Sequence, residues 1–475
     1  MEKDKPNKAS PPVEADLAAA EKAGPSRRDF LVQGGRVAAG VGVAALLGNL
    51  GNWALSYAAD KEPIKVGVLH SLSGTMAISE VSIRDIVEMA AEEINAKGGV
   101  MGRPIQLVIE DPASNWDLFA EKAKKLLLQD KVVTVFGCWT SVSRKSVLPV
   151  FEKNNGLLFY PVQYEGEECS RNVIYTGAAV NQQATPAVEY HLGKDGGSKK
   201  KFYLVGTDYV YPRTTNKILR AMLLAKGISP KNIMEEYTPF HHQDYQTIIA
   251  KIKRFGAGGD AAVINTINGD SNVPFFKELA NAGVSSEEIP VNSFSVAEDE
   301  LRGLDTKNLV GHLAAWNYFQ SINTPENKAF VQRFKDFCKK KNLPDAPRRV
   351  VDDPMFWGYI GVYTWKMAAE KANSLKVDDV LRALPGLTVP TPAGNIIVDR
   401  TNHHTAKPVY IGRILANGQF DIVWQSPGLV DPLPWSEYTY PDRGCDWSKG
   451  GKGTYDTMGG DRIYLEPNAA PIEKM

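Results

Sequence analysis

The chain has 475 residues, 43% hydrophobic and 23% charged, a composition of folded globular proteins and a length that suits two or three domains. Its 55 basic residues balance 55 acidic ones, so no basic field marks a nucleic-acid partner or a polybasic membrane patch. Four cysteines (Cys138, Cys169, Cys338, Cys445) show neither metal-ligand nor CxxC spacing and allow three pairings if they pair at all.

The first 24 residues are polar and rich in Ala, Pro, Lys and Glu, as in disordered segments. Ser26-Arg27-Arg28-Asp29-Phe30-Leu31 follows, then a Gly/Ala/Val-rich run from Val37 to Leu50, then Ser56-Tyr57-Ala58-Ala59. This is the tripartite pattern of a twin-arginine export signal, cleaved after Ala58 or Ala59. The apolar run is too short and glycine-rich for a membrane span of about 20 residues. No cysteine lies near the cleavage site, so a periplasmic protein is expected, not a lipoprotein. The twin-arginine route exports folded protein, so any disulfide would form late.

From Ile64 the pattern alternates between strand and helix. Ile64–Leu69 and Ile105–Glu110 read as buried strands, separated by a helical period over Ser82–Ala96 that Gly98-Gly99 stops. A helix over Leu118–Gln129 leads to strands Val132–Phe136 and Leu157–Tyr160, with a helical segment over Val142–Phe151 between them. A second set begins near Asn181. Its expected strands are Phe202–Val205, Asn232–Tyr237, Ala261–Asn265 and Pro290–Phe294; its helices are Thr214–Lys226, Tyr245–Phe255 and Phe275–Ala282. Leu313–Phe319 reads as a strand returning to the first lobe. Helices follow over Pro325–Lys341 and Asp353–Ser374, then a meander of Asn395–Asp399, Val409–Leu415 and Phe420–Trp424. From Gln425 the sequence is an aperiodic strap rich in Pro, Gly and Trp. Such alternation implies right-handed βαβ units and parallel sheets.

Several motifs carry a resemblance. They are Val66-Gly67-Val68-Leu69-His70-Ser71-Leu72-Ser73-Gly74, Ile94-Asn95-Ala96-Lys97-Gly98-Gly99-Val100-Met101-Gly102-Arg103-Pro104, Gly137-Cys138-Trp139-Thr140-Ser141, Tyr160-Pro161-Val162-Gln163-Tyr164-Glu165-Gly166, Asp208-Tyr209-Val210-Tyr211-Pro212-Arg213 and Trp424-Gln425-Ser426-Pro427. The chain resembles type I solute-binding proteins of the branched-chain-amino-acid and amide class, and within it the urea-binding subunits of urea ABC transporters. The third to fifth motifs are shared with cytoplasmic amide-sensing regulators, which lack an export signal. Those regulators carry a tyrosine where Trp139 stands and a more Thr/Pro-like pattern at Val162 and Gln163. The resemblance implies an α/β fold of two Rossmann-like lobes with parallel sheets, joined by three hinge strands and closing on a ligand. Lobe one would be 60–180 plus 311–387 and lobe two 181–310 plus 388–425, after a disordered segment and signal over 1–59 and before an extension over 426–475. It also implies an ABC permease and ATPase as partners.

Ligands of open parallel sheets bind beyond the carboxyl ends of the strands. Those ends supply Trp139, Thr140, Ser141, Tyr160, Gln163 and Tyr164 from the first lobe and Asp208, Tyr211, Ser295 and Glu298 from the second. Urea offers four N–H donors and a carbonyl, so its site needs acceptors, a few donors and flat aromatic faces. Ser141, at an N-cap-like position, could hold a carbonyl, or else only cap the helix; in amino-acid-binding relatives the matching region holds a carboxylate. The aromatics could line a pocket or pack in the core. Asp208 could accept from an N–H or close a turn. Glu298 could meet the ligand or begin a helix.

Other chemistry has weaker signals. His241-His242 and His403-His404 read as solvated loop pairs. Asp111–Asp117 and Asp352-Asp353 offer oxygen ligands that suit a structural Ca²⁺, but EF-hand spacing is absent and turn or cap roles are expected. No cofactor is expected. No nucleophile elbow, phosphate loop or metal-hydrolase motif is present, so a binding protein is expected in preference to an amidohydrolase. A receptor for branched-chain or polar amino acids, or an amide sensor, are the alternatives.

Overall fold

A computed structural model describes residues 62–447. The export signal and its cleavage site, and residues 448–475 of the extension, lie outside the described residues. The chain builds two lobes around separate parallel sheets. In the first, β1 (Ile64–Leu69), β2 (Ile105–Glu110), β3 (Val135–Gly137), β4 (Leu158–Tyr160) and β5 (Val173–Tyr175) pair in the order β2-β1-β3-β4-β5, all parallel. Every β1 side chain but that of Lys65 is buried, as expected of a strand covered on both faces. The helix Ala77–Ala96 packs against the helix Asp353–Ala372, which also lies on β3 and β4.

The second sheet has the order β15-β14-β10-β9-β8-β6-β7. It comprises β6 (Lys201–Thr207), β7 (Ile233–Thr238), β8 (Ala261–Thr266), β9 (Val291–Ser293) and β10 (Leu313–Trp316), all parallel, and the hairpin β14 (Tyr410–Ile414) and β15 (Phe420–Gln425) on the antiparallel edge. Three assignments differ from expectation. The strand β10 belongs to the second sheet, and the return to the first lobe comes just after it. The meander is split: β12 (Gly394–Val398) pairs with β11 (Thr388–Thr391) and β13 (Thr405–Ala406) in a small separate sheet. The strand β5 was not anticipated.

The chain passes between the lobes after β5, after β10 and between β13 and β14. A buried polar node ties these passages together. Asn317 Nδ2 donates to Gln182 O (2.9 Å) and Pro408 O (2.7 Å), one carbonyl from each of the other two passages. Lys407 Nζ, fully buried, donates to Gly177 O (2.7 Å) and also to Thr176 O.

The strap after β15 is fixed at several points. Glu167 N donates to Pro434 O (2.6 Å), Leu433 N to Asn181 Oδ1 (2.9 Å), and Cys445 is disulfide-bonded to Cys169. Cys138 and Cys338 are buried free thiols. The strap also covers Asn402, whose amide donates to Pro432 O (3.4 Å). Beneath it His403 and His404 are buried, contrary to the solvated loop expected. The expected turn and cap roles of the acidic pairs are visible: Asp111 accepts from Leu72 N (2.9 Å) and Ala113 N (2.7 Å), and Asp352 from Met355 N (3.0 Å).

Candidate functional site

The carboxyl ends of β1, β3 and β4 face those of β6, β8 and β9 across a closed seam. Gln163 Nε2 crosses it, donating to Phe294 O (2.7 Å) and Ser295 Oγ (3.0 Å). Thr75 Oγ1 donates to Asp270 Oδ1 (2.7 Å), and Ser79 and Ser82 donate to Glu300 and Asp299 at 2.5 Å each. These contacts join side chains more than 100 positions apart in the chain.

The predicted site residues separate into three groups. Trp139, Gln163, Tyr211 and Ser295 meet at the seam. Trp139 is buried and its Nε1–H has no partner; nor does Gln163 Oε1. Burial raises the Tyr211 phenol well above the ordinary range, and hydrogen bonds with Gln163 and Ser295 oppose that rise. Tyr160 supports this group by donating to Trp139 O (2.6 Å).

The second group is structural. Thr140, not Ser141, caps the helix Ser141–Lys153, its hydroxyl accepting from Ser143 N (3.1 Å). The Ser141 hydroxyl donates to Glu165 and accepts from Arg144 Nη1 (3.1 Å). Tyr164 packs away from the seam, stacked on Tyr175 with ring centroids 4.7 Å apart, and its hydroxyl donates to His404 Nε2 (2.5 Å). His404 Nδ1 faces Asn402 O at 2.6 Å, which fixes the proton there.

The third group is the two acids. Asp208 is half exposed and ion-paired with Arg213 (2.8 Å), which holds its carboxyl below the ordinary range. Glu298 is buried, begins the helix Glu298–Leu301 and accepts from Gln320 N (2.7 Å) through Oε1 beside the second passage, while its Oε2 has no partner. Burial pushes its carboxyl up to about 8, so it is protonated at neutral pH. It is not poised to meet an ammonium group.

Three site features escaped the sequence. Tyr209, next to Asp208, is the residue whose hydroxyl turns inward, to Asn268 Oδ1 (2.7 Å). Glu80, fully buried near the start of the helix Ala77–Ala96, accepts from Ser71 N (2.8 Å) and faces His70 Nδ1 (3.1 Å) through Oε2, while Oε1 has no partner. Arg144 is fully buried and binds Glu168 through Nε (2.7 Å) and Glu165 through Nη2 (3.0 Å). Burial opposes its charge, but Glu168 and Glu165 outweigh that and keep it protonated. Only the strand-end position hinted at these residues; their chemistry depends on burial.

Cys138 follows β3 with a left-handed backbone (φ 66°), and burial and then Glu80 push its thiol up, away from the reactive thiolate. The geometry describes two lobes that meet at a seam of polar and aromatic strand ends.

Comparison with known proteins agrees. A family model described as "Periplasmic binding protein domain" matches residues 64–441, and the chain belongs to that family. Leu/Ile/Val-binding protein homolog 6 of Brucella melitensis biotype 1 is 21% identical over 364 residues, covering 75% of this chain and 89% of that protein. A limonene hydroxylase of Geobacillus stearothermophilus is 35% identical over 131 residues, 28% of this chain; the match spans only 23% of that protein. Among solved structures, the R. palustris solute-binding protein in complex with 4-hydroxybenzoate superposes with a TM-score of 0.67 at 20% identity, covering 79% of this chain and 99% of that one. A leucine-binding protein from Thermotoga maritima gives 0.64 at 18%, covering 76% and 98%. The fold is that of type I periplasmic binding proteins.

Proposed function

We propose that this protein is the exported, non-enzymatic receptor of an ABC transporter, capturing urea or a short-chain amide between its lobes for nitrogen uptake. Hinge closure about the three passages traps the ligand, and the closed form presents it to the permease. The observation that carries this reading is the unpartnered acceptor and donor at the seam, Gln163 Oε1 and Trp139 Nε1. A small neutral molecule bearing N–H groups and a carbonyl complements such a set, since buried polar groups seek partners. The Ser141–Glu165–Arg144 cluster supports it too. The helix start where a ligand carboxylate would sit already holds Glu165, which would repel one.

The competing reading, a branched-chain amino-acid receptor, draws on the Leu/Ile/Val-binding relatives. Isothermal titration of the mature protein with urea, formamide, acetamide and leucine separates the two. Saturable heat with urea or an amide and none with leucine is expected; the reverse pattern rejects the amide assignment.

A further inference from the structure

Glu80 lies in none of the strand-end motifs, yet it is a buried carboxyl group at the seam with a bare oxygen. Its Oε2 is tied to the two residues that follow β1, through Ser71 N at 2.8 Å and His70 Nδ1 at 3.1 Å. Its Oε1 is buried and unpartnered. Glu80 also raises the thiol of Cys138, which places the carboxylate beside the end of β3 and next in line to Trp139. The neighbouring residues Thr75 and Ser79 reach across to Asp270 and Glu300 of the second lobe, so this turn of helix faces the seam. Arg144, the nearby buried cation, is committed to Glu165 and Glu168, and the basic group facing Glu80 is His70, on Oε2 and not on the bare Oε1.

We propose that Glu80 is the specificity-determining acceptor of the site. Its bare oxygen takes an N–H of the ligand's –CONH₂ group, while Trp139 Nε1–H donates to the ligand carbonyl. This deepens the amide reading and rests on it. An unpartnered carboxylate accepts from an amide nitrogen but repels the carboxylate oxygen that replaces it in an isosteric acid. Glu80 therefore rejects acetate where it accepts acetamide, by unpaired charge in the wrong complex.

The test is calorimetry of wild type and Glu80→Gln with urea, acetamide, acetate and leucine. Glutamine keeps an acceptor for Ser71 N and turns an NH₂ toward the ligand. Wild type is expected to bind the amides and not acetate. In E80Q, amide affinity falls about 10- to 100-fold, the range of a hydrogen bond to a charged group, and the discrimination against acetate shrinks. A residue with only a structural role would not shift that preference. Wild type binding acetate within tenfold of acetamide, or E80Q retaining both amide affinity and discrimination, overturns the role of Glu80 and leaves the amide reading standing. Wild type binding leucine but no amide overturns both. If E80Q does not fold, the wild-type comparison still decides the carboxylate's role. Trp139→Phe tests the carbonyl contact: it keeps the ring, removes the donor, and should weaken every amide, whereas unchanged affinities reject that contact.

Discussion

Two buried polar groupings sit side by side at the carboxyl edge of the first sheet, and they differ in one respect. Around Arg144 each charged or phenolic group has its partners. Glu168 accepts from Arg144 Nε (2.7 Å), Tyr175 (2.8 Å) and Lys145 (2.8 Å); Glu165 holds Ser141 and Arg144; Tyr164 holds His404. Around Trp139 the groups stay incomplete, with Trp139, Glu80 and Gln163 each lacking a partner for one polar atom. Completed networks rigidify a fold, whereas unfinished ones are tolerated where something else completes them. The first grouping is therefore scaffold, and the second is where the proposed ligand would find its partners.

Substitutions should respond accordingly, and Arg144→Met should show it most strongly. It strands Glu165 and Glu168 in the interior, and breaking a buried pair costs about 3–5 kcal/mol. Chemical denaturation should show that loss, or no folded protein; a variant as stable as wild type would mean that the network does not hold the lobe together.

The pH dependence comes next. Burial alone would raise the Glu168 carboxyl, but Arg144 and Lys145 outweigh it and hold it well below its ordinary value of 4.5. A depressed carboxyl gives stability above its unfolded pKa, lost as pH falls below it. Melting temperature should drop as pH falls below about 4.5. Glu298 has the opposite sign. Burial raises its carboxyl from 4.5 to about 8, so its contribution is full below 4.5 and is lost as pH rises toward about 8. Glu298→Gln should be more stable than wild type at pH 8 and should flatten that limb in thermal melts; an unchanged alkaline limb would count against a buried, protonated Glu298.

The sequence made the frame legible because buried parallel strands read as mainly apolar, β-branched runs, as in Ile64–Leu69 and Ala261–Thr266. It lost what depends on distant pairing. Leu313–Trp316 was legible as a strand, but its neighbours β9 and β14 decide its lobe, and β14 lies nearly 100 residues further on. Asn395–Asp399 was grouped with its successors by adjacency, yet its core pairs backward to Thr388–Thr391. The polar run around His403-His404 gave no sign of the strap that buries it. At the site, residue types at strand ends were readable and their directions were not. Asp208 and Tyr209 are neighbours, and the aromatic turns inward while the acid pairs with Arg213. Glu80 looked like an ordinary helix residue until burial exposed its missing partner.

The smallest expected effects draw the line between scaffold and site most sharply, because they use one chemical change on two tyrosines. Tyr164→Phe removes the hydroxyl that His404 Nε2 accepts from and strands that nitrogen in the core, where burial already pushes its pKa down to about 3. Stability should fall by about 1–3 kcal/mol with ligand affinity unchanged. Tyr211→Phe removes a hydroxyl that hydrogen-bonds with Gln163 and Ser295 at the seam. Gln163 and Ser295 keep their bond to each other, so denaturation should change by no more than about 0.5–1.5 kcal/mol. Affinity for urea should fall about 2- to 10-fold, the weight of one neutral hydrogen bond. If both variants lose stability alike and neither loses affinity, the Tyr211 hydroxyl is scaffold too and the distinction fails. If the effects divide as stated, the incomplete grouping is where the ligand supplies the missing partners.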